Sequence, residues 1–290
     1  MGGIYRATRA PEEQEEEFLA SRDLWFRPIG FEQGPDGALY LVDMQRRVIE
    51  HPDYIPAKVR VDATIREGEQ PGRIYRIIAR DQAWRFPAPL KSRCNEELVR
   101  LIAHHHQWIR MAAQRLLIER GARDVAVQLR EMVEGSSRLG RWHALWTLHG
   151  LNLVSREDLA IGMEDEAPLI RRATLRILGD RPRYHDPLWR HVLNGAIDEA
   201  LSVRLEALQW LGARTSSQNI KLLLAGFWKN DHRDQWIDLA WLTALVPQTR
   251  EVLQRCLEDE QITNDSLHQS GTRLAQLLRL HAAKDSTDMG

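Results

Sequence analysis

Cysteine is nearly missing from this chain: Cys94 and Cys256 are the two in 290 residues. They lie far apart, so the sequence holds neither a disulfide framework nor a CxxC metal or haem-attachment motif. A Gly-rich phosphate loop, an HExxH pair and a Ser-His-Asp signature are absent too, which leaves the common motif-borne chemistries unsupported. No run approaches the roughly 18 apolar residues of a membrane helix. Met1–Gly2–Gly3–Ile4–Tyr5–Arg6 lacks a charged stretch followed by an apolar one, so no export signal is visible. Charge of one sign is missing as well. Lys plus Arg number 40 against 41 Asp plus Glu, and residues 1–90 carry −2 where residues 91–290 carry +1. A nucleic-acid footprint is therefore not expected. Lysine is scarce, because 35 of the 40 bases are Arg. Arginine suits planar, bidentate pairing inside a packed structure, although a biased gene composition gives the same count.

The 43% hydrophobic content is enough for an ordinary core, and the length allows two domains. Residues 4–9 alternate like a half-buried strand, and Glu12 to Glu17 form an acidic, solvated run. Pro28 to Gln33 and Ala38 to Asp43 flank Gly34–Pro35–Asp36–Gly37, a reversing turn, so the pair reads as a β-hairpin. Gly72 to Ile78 supplies a third strand. Met44 to Pro71, with Pro52, Pro56 and Pro71, is too long for a tight turn and is expected to be an ordered surface excursion.

From residue 92 the period turns helical and repeats. Arg110, Arg141, Arg171, Arg204, Asp238 and Arg273 are each followed by small or apolar residues three or four and seven places on. Apolar segments near 96–103, 124–133, 155–163, 187–195, 217–228 and 249–258 precede them, giving six helical pairs. Gly179 and Gly212 serve as helix stops. The pattern resembles HEAT-like repeats, clearest in Glu166 with Arg171, Thr174, Leu175 and Leu178, and in Glu199 with Arg204, Ala207, Leu208 and Leu211. The acid five before each Arg suits ion pairing between neighbouring repeats, and the small residue suits close helix approach. Trp108, Trp142, Trp146, Trp210 and Trp241 fall at or beside core positions and read as core. The expected fold is mainly α: a HEAT-like α-solenoid of about six helical pairs over 91–290, preceded over 1–90 by an antiparallel β-meander, part of a β-propeller blade.

Both halves in this order resemble the membrane-bound dehydrogenase family, also described as PVC-type haem-binding proteins. The resemblance rests on Glu17–Phe18–Leu19–Ala20–Ser21, Trp25–Phe26–Arg27–Pro28, Gly34 to Tyr40 with Val42–Asp43–Met44, and Val48–Ile49–Glu50–His51–Pro52 with Ile55–Pro56. It implies an exported or periplasmic propeller, then helical repeats, then a c-type cytochrome domain with a CxxCH haem site. The chain covers the last part of such a propeller and the repeats, as a piece of a larger protein. CxxCH is absent here, so no haem or other cofactor is expected on this chain. The implied partners are protein domains or subunits, including the missing blades and a cytochrome domain.

In an up-and-down blade the start of the first strand and the end of the second lie at one hairpin mouth. Arg27, Asp43, Glu50 and His51 are thereby expected at one rim, where acid, base and imidazole suit a polar substrate, a cation or a cofactor edge. The plainer expectation is that Arg27 pairs with Asp43 or Glu50 to hold the long loop. His104, His105 and His106 are consecutive and point about 100° apart on a helix, which is poor metal spacing. His185 and His191 read as flanks of a helix starting at Pro187. The chain is thus expected to act as a scaffold, not catalytic alone, with a stand-alone HEAT-repeat interaction module as the alternative.

Overall fold

In the computed structural model the described residues are 8–60, 67, 68, 70, 72–80, 88–181, 185–212, 234–258, 275, 276, 278 and 279. The fold is mainly helical, with a small three-stranded antiparallel sheet toward the N-terminus. Two compact units divide between Glu119 and Arg120. The change of period near residue 92 therefore falls inside the first unit.

In the first unit β1 (Pro28–Gln33), β2 (Leu39–Asp43) and β3 (Arg73–Ile77) pair in that order. The turn between β1 and β2 forms because Gly34 N–H reaches Ala38 O at 2.8 Å and Gly37 N–H reaches Gly34 O at 3.0 Å. Gly37 takes φ +83°, a left-handed conformation that glycine adopts without steric cost. Register places Phe31, Leu41 and Tyr75 in one row and Gly30, Val42 and Ile74 in the next, on opposite faces. Leu41 is fully buried, with Phe18 set edge-on against Phe31 and Phe26 against Tyr75. On the other face Val42 is 37% exposed and Ile74 71%.

The excursion after β2 is pinned at its base. Gly68, at φ +89°, lies so close to Gln45 that a Cβ would stand 2.4 Å from the Gln45 carbonyl, and Arg47 pairs with Glu67 at 3.3 Å. Within it lies one helical turn, α1 (Ala57–Arg60), and Ile55 is buried nearby. The unit closes with α2 (Asn95–Leu101) packed on α3 (Gln107–Glu119). His104, His105 and His106 occupy the turn between them.

The second unit is a succession of helical hairpins: α4 (Ala126–Val133) with α5 (Arg138–Gly150), α6 (Arg156–Met163) with α7 (Pro168–Gly179), and α8 (His185–Ala196) with α9 (Leu201–Gly212). Two further helices are α10 (Gln235–Leu245) and α11 (Thr249–Glu258). α5, α7, α9 and α10 pack in series, as do α4, α6 and α8. The helices start where the sequence caps them. Ser137 Oγ accepts from Gly140 N–H, Ser155 and Asp158 form a reciprocal capping box, and Asp234 accepts from the N–H groups of Trp236 and Ile237. α7 and α9 end at Gly179 and Gly212.

In the α6/α7 and α8/α9 hairpins the small residue of the repeat meets a glycine. A Cβ on Gly162 would stand 2.3 Å from Thr174 Oγ1, and one on Gly195 would stand 3.1 Å from the Ala207 Cβ. α6 and α8 thus ride close over α7 and α9. Trp210 and Trp241 are buried as core, whereas Trp236 is 55% exposed. The expected strand at 4–9, the expected helix at 217–228 and the repeat anchor Arg273 lie wholly or largely outside the described residues.

Candidate functional site

Asp43 ends β2 almost completely buried, at 1% exposure. Its Oδ1 accepts from the backbone N–H of Arg27 at 2.7 Å and of Gln45 at 2.9 Å. Gln45 takes φ +47°, which turns the chain so that this second N–H points back at the carboxylate. Asp43 Oδ2 is buried without a hydrogen-bond donor among the described residues. A buried acceptor left unanswered is costly, so this oxygen is the place where a water or a donor from another molecule would be stabilised.

Arg27 does meet Asp43, through its backbone. Its guanidinium goes to carbonyls: Leu24 O at 2.7 Å, Phe26 O at 2.9 Å and Arg47 O at 3.3 Å. It therefore holds the base of the long loop and pairs with no carboxylate among the described residues. His51 lies on the exposed loop, where Nδ1 accepts from Asp53 N–H at 3.3 Å and the ring sits edge-on to Tyr54. It caps the short turn Pro52–Tyr54. Glu50 is exposed and forms no ion pair among the described residues. The structure brings Arg27 and Asp43 together, and no described contact joins Glu50 or His51 to them.

Two acid–base pairs that sequence reading did not single out hold β3. Asp36, its side chain wholly buried, accepts from Arg76 Nε at 2.6 Å and from Ala38 N–H at 3.2 Å. Burial works against its ionisation, but the Arg76 hydrogen bond and charge outweigh that, and its carboxyl lies below the usual range. Asp23 accepts from Trp25 N–H at 3.0 Å and from Arg73 Nη1 at 3.0 Å, and both lower its pKa.

In the helical unit the arginine anchors link successive hairpins. Arg141 reaches Asp165 at 2.7 and 3.1 Å and donates from Nη1 to the carbonyls of Gly135 and Ser136. Arg171 repeats this with Asp198, at 2.7 Å through both Nε and Nη2, and with the carbonyls of Asp165 and Glu166. The bidentate acid stands one place before the Glu that the repeat pattern suggested. Asp165 and Asp198 also accept from Ala167 N–H and Ala200 N–H, each at 2.8 Å, and this local turn fixes each carboxylate beside the preceding arginine. Glu166 adds a contact to Arg141 at 3.1 Å, while Glu199 stands 3.9 Å from Arg171. The recurrence of Asp-Glu before both helices was the available signal.

Further arginines tether the ends. Arg130 donates to Leu153 O and lies 3.4 Å from Asp158, and Arg181 donates to His149 O and to Asn152. His191 meets Glu164 at 3.3 Å. Rings of His104 and His105 stack at 4.2 Å, and His104 Nδ1 accepts from His106 N–H. Among the described residues no group of three His, Cys, Asp or Glu side chains is placed to hold a metal, and no helix is long and apolar enough to cross a membrane.

Residues 1–81 match the family model described as a domain of unknown function (DUF7133). The match takes in all three strands and Arg27, Asp43, Glu50 and His51 and stops before α2. No curated protein matches the chain.

Proposed function

We propose that the chain is a scaffold without catalysis of its own: the closing part of a β-propeller followed by a HEAT-like stack, in a membrane-bound dehydrogenase-like protein. The observation that carries this is the sheet's uncovered face, where Val42 and Ile74 lie exposed in adjacent register. A sheet gains its stability by burying apolar rows against a second layer, and on the Leu41 side this one buries Leu41 beside the Phe18 and Phe26 rings. The other face and the strand edges suit sister sheets of the same kind. The residues at the end of β2 support a wall of a site more than a whole one, since Asp43 Oδ2 offers a single acceptor and the Arg27 guanidinium is already used on carbonyls.

The test is dye binding and self-association of the full chain. The expected result is strong binding of an apolar-surface dye that falls when Val42 and Ile74 are replaced together by Thr. A chain that binds no dye and stays monodisperse at high concentration would contradict the reading. A stand-alone HEAT-repeat interaction module is the second reading, favoured by an open apolar groove between α9 and α10.

A further inference from the structure

α5 and α7 pack on one another, and arginine ties them near both ends with a different acceptor at each. Near their starts Arg141 meets Asp165 as a bidentate ion pair. Ordinary guanidiniums and carboxylates do not titrate between about pH 5 and 8, so such a tie is indifferent to mild acid. At their ends the acceptor is an imidazole. Arg181, just past the end of α7, donates from Nη2 to His149 O at 2.7 Å and to His149 Nδ1 at 3.0 Å, and from Nη1 to Asn152 Oδ1 at 2.9 Å. Asn152, at φ +58°, closes α5: its N–H reaches His149 O at 3.0 Å and Leu153 N–H reaches Leu148 O at 2.8 Å. Arg181 therefore grips the ring, the carbonyl and the cap of one helix end.

A guanidinium can only donate, which fixes the imidazole tautomer. Nδ1 carries the lone pair, and the ring proton sits on Nε2, 3.5 Å from Asp180 Oδ2. Trp146 lies edge-on to the ring at 5.5 Å, and the His149 side chain is 19% exposed. The site is thus built for the neutral ring. Burial first, then the Arg181 charge, holds the His149 pKa below the ordinary imidazole value, while Asp180 pulls the other way. On the side of α4, Arg123 and Arg130 donate to the carbonyls of Leu151 and Leu153, and Asp158 of α6 lies beside Arg130.

We propose that His149 and Arg181 form an acid-released latch at the far end of the α5/α7 pair. A proton taken up at Nδ1 turns the acceptor into a donor and sets a second positive charge against the guanidinium, so Arg181 leaves both the ring and the carbonyl. The imidazolium then supplies the cation that a helix C-terminus favours. The pair loosens at this end and stays closed at the other, where Arg141 and Asp165 hold it. Because the latched form binds the proton less readily than the released one, the latch is fully set above about pH 6.5 and yields as pH falls toward the lowered value. It stands independently of the scaffold reading and gives the stack one junction that responds to mild acid.

The experiment is an NMR titration of the His149 ring in the full chain, with amide exchange compared at about pH 7.5 and about pH 5. The expected result is a His149 pKa below about 6.5 that Arg181→Gln raises and Asp180→Asn lowers further. Protection of the Asn152 and Leu153 amides falls roughly tenfold at the lower pH, the effect of a one-unit difference in pKa between latched and released forms. The Ala167 amide, held by Asp165, keeps its protection. His149→Asn places an amide oxygen where Nδ1 accepts, one that takes up no proton, and keeps Asn152 and Leu153 protected at both pH values. Circular dichroism confirms that each variant is folded. A His149 ring titrating at or above about 6.5 overturns the proposal, as does a pKa that Arg181→Gln fails to raise. Equal protection of Asn152 and Leu153 at both pH values overturns it too, and so does a loss of protection that His149→Asn shares. Should Arg181→Gln not fold, Asp180→Asn decides, its side chain being 68% exposed, and no downward shift there overturns the latch.

Discussion

Arg141 and Val42 show two different ways of ending a repeat of structure. In the helical unit Arg141 reaches out of α5 and finds Asp165 in the loop before α7, and Arg171 does the same toward α9. Each hairpin is answered by the next. In the sheet only Leu41 of its row is fully buried, with Phe18 and Phe26 edge-on to the partly exposed Phe31 and Tyr75, while in the Val42 row Ile74 is 71% exposed. The lesson is that a stack carries its complement in its own sequence, one period later, whereas a small antiparallel sheet of three strands can leave one face to solvent.

The sharpest way to break the contrast is to remove a clamp. Asp165→Ala removes the bidentate carboxylate of Arg141, 8% exposed, leaving it only the exposed Glu166, and frees the Ala167 N–H, and it should destabilise the helical unit by about 3 kcal/mol in urea unfolding. Close helix approach is tested by Gly162→Ala, which drives a Cβ onto Thr174 Oγ1 and should cost about 2 kcal/mol. Adding Thr174→Ala should return much of that loss. In the sheet unit Asp43→Ala leaves the N–H groups of Arg27 and Gln45 without their acceptor, and about 1–2 kcal/mol of that unit's stability should go.

Acid should act on the same unit. Burial first, then the charges of His105 and other neighbours, holds the pKa values of His104 and His106 below the ordinary imidazole value. Arg110 opposes protonation of both, while Asp36 favours it for His106. The unfolded chain therefore binds these protons first, and stability falls as pH drops below about 6.5. His106→Leu, which removes ring nitrogens that meet no partner among the described residues, should flatten the melting temperature against pH between 5 and 8. Smallest of all, Ile74→Thr should change stability by no more than about 0.5 kcal/mol. A large loss there would mean that the face is covered after all.

The hairpin and the helical pairs were legible in the sequence because each rests on local signals: Gly34 to Gly37 for the turn, the arginine period for the second helices, and Gly179 and Gly212 for their ends. Asp36 and Arg76 were not legible, being forty residues apart and joined only when β3 pairs with β2. The expected acid at Glu166 does meet Arg141, but the bidentate partners Asp165 and Asp198 were not legible because the exposed Glu166 and Glu199 share the period of these half-buried aspartates. Pattern gives spacing; only the turn at Ala167 and Ala200 decides which carboxylate points inward. The sequence suggests a carboxylate partner for the Arg27 guanidinium, whereas three nearby carbonyls accept from it.

Hydrogen exchange across the whole chain tests most directly whether one unit is closed upon itself and the other open. The account predicts slow amides through α5, α7 and α9 and much faster exchange in β1 and β3, whose outer edges and Val42 face meet solvent. Amides of β1 and β3 protected as strongly as those of α7 would contradict it.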